Sequence, residues 1–101
     1  MIMLQEVFEL LMKVHEGMYI VTIGLLDGTA IRRAHTTKGS SDTVVELKLD
    51  KMDVGYVTFS KHTCNSYINN QGQITTQTNF NSILAIPYSN ISYVEFSYDE
   101  E

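Results

Sequence analysis

Two short stretches hold the side chains whose types and spacing could do chemistry. The first, "IRRAHTTK" at 31–38, places Arg32, Arg33, His35 and Lys38 in the only basic cluster of the chain. Guanidinium forks suit phosphate or carboxylate, so the cluster is a candidate site for an anionic ligand, RNA or a small nucleotide included. The competing reading is a solvated strand with surface ion pairs, the ordinary state of charged side chains. Neighbouring strand residues point to opposite faces, so Arg32 and Arg33 line one pocket only if the strand bulges.

The second stretch, "SKHTC" at 60–64, puts His62 and Cys64 two residues apart. On a strand they share a face and could give two ligands to zinc. A structural zinc site takes four, and only His15 and His35 remain as further strong ligands. No Cys-x-x-Cys is present, so no metal is expected. A His–Cys nucleophilic pair would need an activating geometry, and the expectation here is a loop with a half-buried thiol. No phosphate loop, nucleophile elbow, metalloprotease helix or dinucleotide fingerprint occurs. The expectation is a non-catalytic chain with no cofactor.

Composition narrows the partners. A net charge of −5 and the acidic end "YDEE" argue against coating duplex DNA, which demands a basic surface. The lone Cys64 cannot close an intramolecular disulfide, which points to a reducing compartment. No run approaches the roughly 18 apolar residues of a membrane span. The apolar start is interrupted by Glu6, Glu9, Lys13 and Glu16, unlike a signal peptide. A cytoplasmic protein without membrane contact is expected.

The elements that must position these groups follow from periodicity. The 101 residues suit one domain. Its parts are a helix over 2–16, a β-barrel over 18–96 and an acidic tail over 97–101. Leu4, Val7, Phe8, Leu11 and Val14 keep the spacing of one helix face, and Gly17 is a natural stop. Met3, Leu10 and Met12 widen the apolar arc to roughly 200° at about 100° per residue. One small sheet covers about half of such a helix. The surplus calls either for a second subunit or for a helix sunk deep in an open barrel. His15, in the last turn, is expected to cap a carbonyl or pack at the core edge.

In "MYIVTIGLLDGTAIRRAHT", 18–36, Tyr19, Val21, Ile23 and Leu25 alternate, and Asp27-Gly28 signals a two-residue type I′ hairpin. That turn would pair Leu25 with Ala30 and Ile23 with Arg32. "TTKGSSD" reads as an exposed loop. "TVVELKLD" and "VGYVTFS" read as strands with "DKMD" turning between them. A further turn lies near Gly72, with weaker strands on either side. Pro87 cannot donate to a central ladder, so "IPYSN" reads as a tight corner. After it, Ile91, Tyr93 and Phe96 close the fold. Tyr67 and Tyr88, in or near turns, are the tyrosines expected to be exposed.

A helix, then "IVTIGLLDGTAIRRA", then more strands and "LAIPYSNISYVEF", resembles the small Sm-like barrels, the bacterial Hfq type among them. The resemblance covers about residues 4–35 and 83–96. It implies a bent barrel, and rings built by edge-strand pairing. The family's second strand bends at a glycine where this chain has Arg33, and no RNA-contacting motif can be carried over. An SH3-like barrel fits the same residues.

The combined expectation is an α+β, mainly β fold: an amphipathic helix packed on a small bent antiparallel barrel of five to seven strands. It would act as a homo-oligomeric binding module, a protein-interaction or accessory or inhibitory factor. The alternative is an Sm-like barrel that binds RNA or a nucleotide through Arg32, Arg33, His35 and Lys38. Met3, Val7, Leu10, Tyr67 and Tyr88 are the candidate interface residues.

Overall fold

The computed structural model describes residues 3–39 and 41–98. Ile2 at the expected helix start and Asp99–Glu101 of the expected acidic tail lie outside the described residues. One helix, α1 (Gln5–Val14), precedes seven strands. These are β1 (Tyr19–Leu25), β2 (Ala30–Arg32), β3 (Ala34–Lys38), β4 (Ser41–Met52), β5 (Tyr56–Ile68), β6 (Ile74–Pro87) and β7 (Ile91–Ser97). They form two antiparallel sheets in the orders β2-β1-β7 and β3-β4-β5-β6. The fold is thus mainly β with one helix. No pairing joins β6 to β7 among the described residues, so the ladder is not closed.

The two sheets share the chain at two places. Between β2 and β3, Arg33 leaves the ladder while its N–H donates to the Val21 carbonyl at 2.8 Å. Between β6 and β7, Pro87 ends one strand and Tyr88–Asn90 make a single 3-10 turn. The expected corner is there, for the expected reason: a residue without an N–H suits the end of a ladder.

Phe8, Ile20, Ile23, Leu47, Val57, Phe59, Ile86, Tyr88 and Ile91 form the core, between the sheets and under the helix. Phe8 meets Phe59 edge to face at 6.1 Å and Tyr88 at 5.4 Å. The molecule is 51 × 26 × 19 Å, and its core occupies one end. From Ser60 to Ser82 no described residue is buried, so β3 and the adjoining parts of β4, β5 and β6 extend as an arm.

Several expectations are corrected. In β1 the alternation Tyr19, Val21, Ile23, Leu25 is broken: the register slips between Ile20 and Thr22, and again between Gly24 and Leu25. Ile20 and Ile23 therefore face the core together, because a bulge moves every following side chain to the other face. The Asp27-Gly28 turn is a three-residue loop. Leu25 N–H donates to Thr29, Gly28 N–H donates to Leu25, and only Gly28 has positive φ, at +89°. A type I′ turn needs positive φ at both central residues; here Asp27 stays in the negative region, where an L-residue is unstrained. Arg32 consequently pairs with Thr22 rather than Ile23. "TTKGSSD" is mostly strand around a tight turn at Gly39. "SKHTC" is the middle of β5 rather than a loop, and β4 runs on to Met52 before turning. Tyr93 lies on the outer face instead of closing the core, and Tyr88 is a core residue rather than an exposed one.

Candidate functional site

The helix shows two apolar faces with different fates. Phe8 is fully buried, and Met3 and Met12 pack against the core. His15 caps the helix: its Nδ1–H donates to the Leu11 carbonyl at 2.7 Å, and its ring stacks on Phe96 at 4.4 Å and 5°. Gln5 Oε1 accepts the Gly55 N–H at 3.2 Å, and Met3 N–H donates to the Ile91 carbonyl at 3.2 Å. These contacts fix the helix over β5 and β7 and leave a second stripe outward. Leu4, Val7, Leu10 and Val14 remain 59%, 45%, 61% and 67% exposed. Four aliphatic side chains in one exposed row, three on the 10-residue helix and Leu4 at its N-cap, are more than scattered surface residues. Glu6 and Lys13 lie exposed along one side of the row.

On the opposite flank of α1, a groove of about 600 Å³ opens between the helix and the end of β4. Met12, Met18, Leu49 and Met52 give it an apolar lining, and Glu9, Lys13 and Glu16 supply charge. A smaller hollow of about 240 Å³ continues it toward Tyr19 and Ile20. Thioether side chains adapt to irregular apolar shapes, so this groove can receive a partner's apolar side chain. The sequence reading missed Met18 and Met52, which come from different elements and share no periodic pattern.

The basic residues do not gather at either place. Arg32 sits in a row with Thr22 and Glu95 across β2, β1 and β7, and Thr22 Oγ1 donates to Glu95 Oε1 at 2.7 Å. The Arg33 guanidinium lies over the Tyr19 ring, 5.6 Å from its centroid. His35 Nε2 is 3.9 Å from Asp42 Oδ1, and Lys38 closes the β3–β4 turn opposite Ser41. From Arg32 to Lys38 the chain covers about 20 Å of extended strand. β2 pairs with β1 without a register shift, and Arg33 falls between β2 and β3, so the bulge named as the condition for the two arginines to converge does not occur in their strand.

His62 and Cys64 do share a face of β5, with separate partners. His62 Nε2 bonds Ser60 Oγ at 2.9 Å, and its ring meets Phe80 at 5.6 Å. Cys64 Sγ donates to Glu46 Oε1 at 3.6 Å and lies 3.5 Å from Thr78 Oγ1, while Lys48 pairs with Glu46 at 3.5 Å. Among the described residues no group of three His, Cys, Asp or Glu is arranged to hold a metal. On the same face, the bulge opposite Lys61 and His62 brings Phe80 and Ile83 to one side of β6, both exposed. β6 is an edge strand without a charged residue. Tyr67, exposed near the tip of the arm, borders a small hollow with Asp42, Ile68 and Ile74. No described helix is long and apolar enough to cross a membrane.

No protein-family model, curated protein or solved structure matches the chain.

Proposed function

We propose that the chain is a non-catalytic interaction module, a small bent barrel-like fold that works as a homo-oligomer. One observation carries this reading: the exposed row Leu4, Val7, Leu10 and Val14, on a helix whose other face is already committed to the core. Leaving such a row in water forgoes the stabilisation that burying apolar surface brings, about 25 cal/mol per Å². A second subunit recovers it. The arm, with Phe80, Ile83 and the uncharged edge of β6, then remains for a different protein. The net charge of −5 favours one with a basic surface. This supports an accessory or inhibitory factor.

Light scattering on a sizing column over a concentration series tests the reading, for wild type and Leu10→Glu. Leu10 is exposed, so the variant keeps its fold, checked by circular dichroism. A wild-type oligomer that dissociates in the variant is the expected result. A wild type that stays at 11.5 kDa throughout overturns it.

A further inference from the structure

We infer that the helices of two copies pair antiparallel across a two-fold axis, with Glu6 of each beside Lys13 of the other. This rests on the self-association proposed above and adds its geometry. Val7, Leu10 and Val14 follow the 3- and 4-residue alternation of a paired helix's seam, and Leu4 caps the start of that helix. In an antiparallel pair with the axis crossing between Phe8 and Glu9, Val7 packs on Leu10 of the second copy. This contact occurs twice by symmetry.

The same register fixes both flanks. On one side Glu6 falls beside Lys13 of the second copy, twice. On the other side Leu4 falls beside Leu11. All of these residues except Leu11, which is half-buried, are exposed. In a parallel pair the flanking positions differ: Glu6 would face Leu11, and the charge would gain nothing. The first-turn Glu6 and last-turn Lys13 also suit their own helix dipole, and antiparallel dipoles attract. The sequence is therefore self-complementary in one orientation only. The contact is short, since a 10-residue helix spans about 15 Å. It falls below the roughly 800 Å² per partner of a standard interface, so the dimer dissociates on dilution.

The experiment measures dimer dissociation by sedimentation, with one species fluorescently labelled, for wild type, Glu6→Lys, Lys13→Glu and an equimolar mixture of the two variants. Both substituted positions are exposed, so the fold is kept. Each variant alone brings like charges together twice and is expected to dimerise about tenfold more weakly. In the mixture, lysines at 6 and 13 of one chain meet glutamates at 13 and 6 of the other, and affinity returns to about the wild-type level. Adding salt narrows these differences. A mixture that binds no tighter than either variant, with wild type dimeric and Leu10→Glu monomeric, overturns the antiparallel geometry and leaves self-association standing. A monomeric wild type overturns both.

Discussion

The ring of Tyr93 occupies the space that a side chain on Gly24 would need. The two residues are paired across β1 and β7 on the outer face of the three-stranded sheet. A methyl group at Gly24 would collide with Cδ1, Cε1 and Cζ of the ring. Gly24→Ala is therefore expected to destabilise the fold by about 1–3 kcal/mol, the usual cost of overpacking. Replacing Tyr93 by Ala in the same chain should remove most of that penalty. Denaturant unfolding of the two single variants and the double variant reads the coupling; additive effects would mean the ring moves aside freely.

The helix is held to the sheets chiefly through Phe8, fully buried between Phe59 and Tyr88. Phe8→Ala is expected to cost about 3–5 kcal/mol, a large share of a small domain's stability. Tyr88→Phe is milder. It removes the hydroxyl that donates to the Asp53 carbonyl at 3.1 Å, worth about 1 kcal/mol. Thermal melts of both should rank Phe8→Ala far below Tyr88→Phe.

Stability should fall in strong base by way of Tyr88. Burial raises its hydroxyl above the usual value near 10, with the charges of Glu9 and Asp53 adding to the effect. The folded state thus favours the neutral phenol. Its contribution is complete below the unfolded value and is lost as pH rises through the higher folded one. Between about pH 8 and about pH 11, wild type should lose more stability than Tyr88→Phe in denaturant titrations. Equal losses would place Tyr88 outside the effect.

The β1–β2 loop should be sensitive to acid. The Thr29 hydroxyl and N–H donate to Asp27 Oδ1 at 2.6 and 2.9 Å, and these bonds hold the carboxyl below its usual range. A lowered folded value means a contribution present above the unfolded value and lost as pH falls through the folded one. Asp27→Asn should flatten that acid limb. Gly28→Ala, forced to φ of +89°, should cost about 1 kcal/mol at any pH, from strain alone.

Much of this architecture was legible residue by residue. Gly17 ends the helix region with φ of +87°, and Pro87 makes the corner. The excess of apolar surface on the helix was legible too, but not which side is left out: Leu4, Val7 and Val14, on the face expected to be buried, stay in water, while Met3 and Met12 of the expected surplus pack on the core. Gly24 was a missed signal: an isolated glycine inside an aliphatic strand marks a close approach. The Tyr88 error has a different cause. A residue in a turn is exposed by default, but this turn packs inward on Phe8.

Local chemistry set the N-terminal helix with its excess of apolar surface, the strand character of most of the chain, the corner at Pro87 and the acidic balance. These depend on local periodicity, backbone φ and composition, all of which act within a few residues. The packed fold supplied the rest. It set which face of β1 turns inward after its bulges and how β2 and β3 split at Arg33. It also gathered the groove of Met12, Met18, Leu49 and Met52 and left β6 as an open edge. One extra residue in a ladder reverses every side chain beyond it, and residues far apart in the chain meet only once the sheets have packed.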